Sequence, residues 1–136
     1  MNKVIYFDNN ATTRVAPEVF EAMKPFLTEL YGNPSSMHTF GGQVAKYIRQ
    51  ARESLATLLG CDSSEIIFTS CGTESDNAAI KGIIEAYPEK RKIITTRVEH
   101  PAVLQPCRDL QAKGYKLVEL GVDKQGQIDI EELRHE

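Results

Sequence analysis

The stretch Ser70-Cys71-Gly72-Thr73-Glu74-Ser75-Asp76-Asn77 consists of small and polar residues between two apolar segments. The run Ile66-Ile67-Phe68-Thr69 precedes it and predicts a short buried strand. Apolar residues at helical spacing follow it as far as Pro88, and they predict a helix. The stretch therefore lies where a strand passes into a helix, so unpaired backbone N–H groups and the positive end of the helix dipole point out of the turn.

A turn of this kind is typical of a site for an anion, most often a phosphate. Gly72 lets the chain turn tightly and lets a ligand come close to the backbone. Thr73 is predicted to cap the helix, with Asp76 at the capping-box position. Many strand-to-helix junctions carry Ser, Gly and Thr only as caps, and that interpretation stays open at this point. The glycine spacings of the Walker motif and of the dinucleotide fingerprint are both absent.

The composition excludes several classes of protein. The 136 residues suffice for one domain of ordinary size, and 41% hydrophobic with 26% charged residues favours a packed core. A net charge of −3 without a basic block gives nucleic-acid binding no electrostatic support. No apolar run approaches the roughly 20 residues of a membrane span, and the first residues do not resemble a secretory signal. Three cysteines without metal spacing favour a reduced, cytoplasmic protein without a metal site.

The first half of the chain is predicted to form an arm followed by two helices. Residues 4–7 predict a strand or an extended arm, and a polar loop over residues 8–13 follows. Pro17 opens a helix that Pro25 should kink. A second, amphipathic helix is predicted from about Gly41 to Leu59, with Gly60 as its end. The predicted buried stripe of the first helix comprises Val19, Phe20, Met23, Leu27 and Leu30.

The second half alternates strands and helices. Strands are predicted at residues 92–96 and 115–120. Between them, Pro101 opens a helix that Gly114 ends. Asp129 then has the position of an N-cap, with Glu132 as its capping-box partner. The residues of the Pro101 helix that are predicted to face inward are Val103, Leu104, Cys107 and Leu110.

This alternation predicts an α/β layer structure with a largely parallel sheet. Ligands bind such sheets just beyond the carboxyl ends of the strands. The turn at residues 70–73 and the dipeptide Glu99-His100 both occupy that position, so both are expected to face one ligand. The proline after His100 fixes its backbone, which suits an imidazole held in one pose; a histidine that only caps the helix is the open alternative. His38, in the loop after the Tyr31-Gly32-Asn33-Pro34-Ser35-Ser36 break, is more typical of a solvated side chain.

Four motifs together resemble one enzyme family. They are Tyr6-Phe7-Asp8-Asn9-Asn10-Ala11-Thr12-Thr13, the Tyr31-Gly32-Asn33-Pro34-Ser35-Ser36 block with His38, the turn from Phe68 to Asn77, and Val98-Glu99-His100-Pro101-Ala102-Val103. In this order and spacing they are similar to the cysteine desulfurases, pyridoxal-phosphate enzymes of the class V aminotransferase group, and most of all to the NifS-like branch. The four motifs cover essentially the whole chain.

The resemblance implies a three-layer fold with a mainly parallel sheet and flanking helices (fold type I of the pyridoxal-phosphate enzymes), incomplete in this chain. It implies an N-terminal arm at residues 1–14, helices of the small domain and dimer contact at 15–60, and the first part of the large cofactor-binding domain at 61–136. The family's Schiff-base lysine, its pyridine-pairing aspartate and its nucleophilic cysteine are expected beyond residue 136. Neither Lys81, Lys92 nor Cys71 matches them, so the chain is expected to be the front part of a longer protein and inactive alone.

The resemblance also implies residue roles. Gly72 and Thr73 match the positions that hold the phosphate of pyridoxal 5′-phosphate, and His100 matches the histidine that stacks on the pyridine ring and helps to move protons. Asn10, Ala11, Asn33 and His38 match segments that approach the substrate. The implied reaction converts L-cysteine to L-alanine and an enzyme persulfide. The implied partners are a second copy of the chain and an iron–sulfur scaffold or another sulfur-acceptor protein.

Three other interpretations of the function remain open at this point. A selenocysteine lyase or a related class V lyase would share the same motifs. A non-catalytic fragment could bind partners without chemistry. A generic phosphate-binding α/β domain would need only the turn before Glu74.

Overall fold

The structure is a computed structural model that describes residues 5–136, and the chain divides into two compact units, Met1–Ile67 and Phe68–Glu136. Residues 1–4 of the predicted N-terminal arm lie outside the described residues. Residues 5–7 form neither helix nor strand and are exposed to solvent. None of the helices in the described part of the chain is long and apolar enough to cross a membrane.

The first unit contains α1 (Pro17–Thr28), α2 (Thr39–Leu59) and a short 3-10 helix (Ser63–Glu65). Helix α1 begins at Pro17, as predicted, and contains Pro25; the kink expected at Pro25 stays a prediction. Its predicted buried stripe is wrong, because no residue of α1 is buried. The helical period is correct, but burial also needs an opposing surface. Phe26 has one, since it packs edge-to-face on Tyr47 with ring centroids 5.1 Å apart.

Helix α2 confirms the prediction of a long amphipathic helix. It begins two residues earlier than expected, at Thr39, and ends before Gly60, whose left-handed φ of 70° closes the helix. His38 is its N-cap: the imidazole Nδ1 accepts a hydrogen bond of 3.2 Å from the N–H of Gly41. Val44 and Ala56 are the buried apolar residues of this helix.

The second unit is an α/β arrangement, which confirms the predicted fold class. Its two strands pair in parallel, with Lys92 opposite Lys116 at one end and Thr96 opposite Leu120 at the other. A helix connects them and provides the crossover that parallel pairing requires. In chain order the elements are α3 (Gly72–Ala86), β1 (Lys92–Thr96), α4 (Pro101–Ala112), β2 (Lys116–Leu120) and α5 (Ile130–His135).

The strand predicted at residues 66–69 is wrong. This segment forms neither helix nor strand, and the side chain of Ile67 is 80% exposed. A strand exists only where a neighbour completes its hydrogen-bond ladder. The described sheet consists of β1 and β2 alone, and neither strand pairs with this segment.

The core of the second unit lies where α4 packs against β2 and α3. Cys107 and Leu120 are each 2% exposed, and Leu110 is also buried, which confirms the predicted inward position of Cys107 and Leu110. The side chain of Asp129 caps α5 by accepting from the N–H groups of Glu131 and Glu132. The parallel pair and α4 therefore fix the carboxyl end of β1, after which His100 lies.

Candidate functional site

The turn before α3 differs in one detail from the sequence prediction. The helix begins at Gly72, so Cys71 is the N-cap and Thr73 is already the second helical residue. The prediction of Thr73 as the cap, with Asp76 as its partner, is wrong. Cys71 has an extended backbone, with φ −165° and ψ 170°, and the chain enters the helix directly after it.

Glu74, rather than Asp76, reaches back from the first turn of the helix, and it bonds to Ser70, the residue before the N-cap. Its carboxylate oxygen Oε2 accepts from the Ser70 backbone N–H at 2.7 Å and from the Ser70 hydroxyl at 2.6 Å. These two bonds lower the pKa of the Glu74 carboxyl, with the hydroxyl of Ser70 as the larger cause. The turn is therefore closed by a side chain that reaches back from the first turn of α3 to Ser70, although it does not form a capping box with the N-cap residue Cys71.

The start of α3 offers backbone donors to an anion. The first amide with a helical acceptor is that of Ser75, which donates to the Cys71 carbonyl at 3.2 Å. The N–H groups of Gly72, Thr73 and Glu74 precede it and so have no carbonyl one turn back within the helix. Apart from the adjoining residues and the backbone of its own helix, no heavy atom lies within 4 Å of the place where Gly72 would carry a Cβ. A ligand can therefore approach these donors at the positive end of the helix dipole.

The thiol of Cys71 responds to the same field. Its pKa is lowered, mainly by the backbone N–H of Glu74 and then by the Ser70 hydroxyl, although the sulfur makes no cap hydrogen bond of ordinary geometry with the helix. A depressed pKa means that this place favours the negatively charged form of a group. The amide and hydroxyl donors of the turn thus favour negative charge at residue 71, against the opposing negative charge of Glu74.

An open cleft of about 320 Å³ lies between the starts of α3 and α4. It brings together Thr73 and His100, two of the residues that the sequence singled out, and Gly72 adjoins Thr73 in the turn. The lining residues from α3 are Thr73 and Asn77, and those from the α4 end include His100, Pro101, Ala102 and Gln105.

His100 is the N-cap of α4, so the capping geometry that the sequence left open is present. Its Nδ1 accepts from the Ala102 N–H at 3.1 Å. In the neutral ring the proton must then be on Nε2. Nε2 makes no hydrogen bond to any residue in the described part of the chain, so capping leaves this atom available to a ligand.

Sequence reasoning missed Asn77 as a residue of this cleft. Its side-chain Nδ2 donates to the Thr73 carbonyl at 3.0 Å and to the Ala102 carbonyl at 3.4 Å. The second partner lies 25 residues away along the chain. The signal in the sequence was Pro106, four residues after Ala102, because a proline inside a helix leaves the carbonyl four residues earlier without its usual donor.

The four residues expected near the substrate belong to the first unit and are exposed. Ala11 closes a turn by donating its N–H to the Asp8 carbonyl at 3.1 Å, and Asn10 lies within this turn. The side-chain oxygen of Asn33 accepts from the Ser35 N–H at 2.9 Å, and His38 caps α2. Their place near a substrate stays a prediction. Among residues 5–136, no group of three or more His, Cys, Asp or Glu side chains is arranged to hold a metal ion.

Comparison with known proteins places these features in context. Residues 5–136 match the family model described as aminotransferase class-V. A cysteine desulfurase of Trichormus azollae is 64% identical over 130 residues, which are 96% of this chain and 32% of that protein. The cysteine desulfurase NifS of Azotobacter vinelandii is 55% identical over 128 residues, 93% of this chain and 32% of that protein.

Solved structures agree with the relatives found by sequence. A protein described as NifS-like superposes with a TM-score of 0.89 and 47% identity, over 96% of this chain and 36% of that one. SspA, solved in complex with cysteine, superposes with a TM-score of 0.86 and 38% identity, over 96% of this chain and 38% of that one. The chain spans about a third of the length of the curated relatives it matches.

Proposed function

This chain belongs to the class-V aminotransferase family, and from that premise we propose that it forms the phosphate-binding part of a pyridoxal-phosphate-dependent cysteine desulfurase. The observation that carries the proposal is the cleft in which the open helix start at Thr73 meets the imidazole of His100. Relatives with 64% and 55% identity named as cysteine desulfurases support the choice of activity.

The donor set of the cleft fits pyridoxal 5′-phosphate. Backbone amides at a helix N-terminus and a threonine hydroxyl are the groups that bind a phosphate ester. Gly72 leaves open space for its approach. The planar ring of His100 lines the same cleft and can pack on an aromatic ring. In the proposed site Gly72 and Thr73 hold the phosphate, and His100 contacts the pyridine ring.

When bound, pyridoxal phosphate supplies an electron sink that weakens the bonds at the α-carbon of an amino acid. The chain's own contribution is to orient the cofactor and to hold protons near it. Because the Ala102 N–H occupies Nδ1 of His100, the neutral imidazole presents a proton at Nε2. It can accept a proton at Nε2 only if its own proton moves to Nδ1 and the bond from Ala102 is lost. In this tautomer His100 is therefore set to donate a hydrogen bond from its Nε2–H to a group of the cofactor or substrate.

The proposed substrate is L-cysteine, in keeping with the solved relative SspA, which is described as in complex with cysteine. The products would be L-alanine and sulfur held as an enzyme persulfide, which an iron–sulfur scaffold or another acceptor protein would receive. We further propose that Asn10, Ala11, Asn33 and His38 approach this substrate, and that the protein works as a cytoplasmic homodimer.

The test uses the full-length natural protein. Titration with pyridoxal phosphate should produce the visible absorbance of a bound cofactor, and added L-cysteine should yield alanine and, with a reductant, sulfide in equal amounts. Thr73→Ala should weaken cofactor binding by roughly tenfold, because a hydrogen bond to a charged group is lost. Thr73→Ser keeps the hydroxyl and serves as the matched control.

Two further variants separate the ring of His100 from its cap. His100→Asn keeps a good N-cap residue but removes the ring, so we expect the stability of the wild type with slower turnover. His100→Ala removes both the ring and the cap, so it should lower the stability as well as the turnover. The proposal is wrong if the wild-type protein binds no pyridoxal phosphate or forms no alanine from cysteine. Polypeptide 1–136 by itself, mixed with cofactor and cysteine, is expected to give no steady release of sulfide.

A further inference from the structure

Helix α4 contains a backbone defect close to the proposed cofactor site. Pro106 lies inside the helix, and proline has no N–H, so the carbonyl four residues earlier loses its helical donor. That carbonyl belongs to Ala102, which is only 6% exposed. A buried carbonyl without a donor costs free energy, so a partner from elsewhere is needed.

Asn77 supplies that partner from the neighbouring helix. Its Nδ2 donates to the Ala102 carbonyl at 3.4 Å and, within α3, to the Thr73 carbonyl at 3.0 Å. Both partners can only accept, so the nitrogen of the amide must face them, and its orientation follows from chemistry. The side chain is half-buried. One amide group thus connects the first turn of α3 to the first turn of α4.

Each end of this connection lies next to a group of the proposed cofactor site. The carbonyl at one end belongs to Thr73, whose amide and hydroxyl are the proposed phosphate ligands. The residue at the other end is Ala102, whose N–H holds Nδ1 of His100 at 3.1 Å. The path Thr73–Asn77–Ala102–His100 therefore consists of hydrogen bonds and short stretches of helix.

We propose that Asn77 is a positioning residue that sets the distance between the phosphate-binding start of α3 and the imidazole of His100. A ligand that carries both a phosphate and an aromatic ring needs the two groups at one fixed separation. This inference rests on the proposed function, because the separation matters only to such a ligand. The geometry assigns the role to the side-chain amide of Asn77, since among the side chains of residues 5–136 it alone bonds to both helix starts.

A purely structural role would also explain Asn77, because the Ala102 carbonyl needs a donor in any case. The two roles can be separated by Pro106→Ala. Alanine at position 106 restores the N–H that bonds to Ala102 within α4, so the defect disappears without Asn77. The connection between the two helices is not restored by this change. Stability and cofactor geometry should therefore respond differently in the double variant.

The experiment compares Asn77→Ala, Pro106→Ala and the double variant in the full-length natural protein. Gln111→Ala, on the exposed last turn of α4, is the control. Three quantities are measured: the urea midpoint of unfolding, the dissociation constant of pyridoxal phosphate, and the visible circular dichroism of the bound cofactor. Asn77→Ala should lower the midpoint, weaken cofactor binding roughly fivefold and change the dichroism. Gln111→Ala should bind the cofactor within about twofold of the wild type. Pro106→Ala, which also changes the lining of the cleft, is the reference for the double variant and should keep the wild-type dichroism, because the Asn77 connection stays intact.

The double variant decides between the two roles. We expect its urea midpoint to return most of the way to the wild-type value, while cofactor binding stays weak and the dichroism of the bound cofactor stays altered. If it regains wild-type binding as well, or if Asn77→Ala binds the cofactor normally, the positioning role is wrong. Should Asn77→Ala fail to fold, the double variant carries the same comparison. If the wild-type protein shows no absorbance band of a bound cofactor, the proposed function is wrong as well. If the wild type binds the cofactor and only the variants behave otherwise than expected, the positioning role alone is wrong.

Discussion

At the scale of single residues, the cysteines show how strongly local surroundings change one side chain. Cys71 is exposed at the start of α3, and the Glu74 amide and the Ser70 hydroxyl lower its thiol pKa. Cys107 lies in the core of the second unit, and burial, with the negative charges of Glu119 and Glu99, raises its pKa. The two thiols therefore differ in both access and thiolate fraction, the two factors that control reactivity.

Alkylation should separate these thiols. With iodoacetamide at pH 7.5, Cys71 should react at least tenfold faster than Cys107, because only the thiolate attacks. Since the pKa of Cys71 is lowered, its thiolate forms at lower pH, and the midpoint of its rate should fall below the ordinary value of about 8.5. Phosphate or pyridoxal phosphate should slow its reaction by occupying the same amides. Peptide mass spectrometry gives the rates; equal rates for both thiols, or no effect of either ligand, would contradict the account.

Residue-scale prediction from sequence succeeded for local signals and failed for distant ones. Pro17, Gly60 and Asp129 each act on their own helix end, and each was predicted correctly. The cap at α3 was misplaced from Cys71 to Thr73, because several small polar residues in a row compete for one position. Asn77 was missed because its partner Ala102 is distant in sequence.

At the scale of elements, the loop before α2 is packed so closely that Gly41 has no room for a side chain. A Cβ on Gly41 would lie 2.3 Å from the Asn33 carbonyl oxygen and 2.8 Å from the Cβ of Ser36. The Gly41 N–H is also the donor to Nδ1 of His38. The start of α2 therefore depends on the glycine, and the exposed side chains of Asn33 and His38 depend on that start for their positions.

A pair of adjacent glycines gives a matched test. Gly41→Ala should destabilise the protein by about 1–3 kcal/mol, because the neighbouring backbone must move to admit the methyl group. Gly42→Ala, where no atom lies within 4 Å of the new Cβ, should be neutral or stabilise by up to about 1 kcal/mol, since alanine favours a helix over glycine. Urea unfolding of the full-length natural protein measures both. Equal tolerance of the two substitutions would show that the close packing is absent.

The sequence was a better guide to which helices and strands form than to which other elements pack on them. Helical period and end signals lie within each element, so α1, α2, α3, α4 and α5 were recognised, and β1 and β2 with them. The segment 66–69 has the composition of a strand, but a strand also needs a neighbour that composition cannot supply. The prediction that one face of α1 is buried was wrong for the same reason, because an apolar stripe predicts a contact but does not supply the surface that it contacts.

At the scale of the whole molecule, the described residues expose many large apolar side chains. Phe7 is 89% exposed and Leu58 is 80% exposed, and Ile67 is exposed to the same degree as Leu58. A two-stranded sheet is marginal in water without further packing. Exposed apolar surface on this scale marks surfaces that other protein covers, or surfaces that associate when nothing covers them.

Polypeptide 1–136, prepared by itself, is therefore expected to associate, to bind a hydrophobic dye and to unfold without one sharp transition. Sedimentation velocity, dye fluorescence and urea unfolding measure these properties. Ile67→Ser and Leu58→Ser together should reduce association, because they remove exposed apolar surface. Leu120→Ser is the matched control: this side chain is 2% exposed, so its change should disrupt the core and leave association unrelieved or increased. A monomer with cooperative unfolding would show that the two units, despite their exposed apolar residues, are stable without any further covering surface.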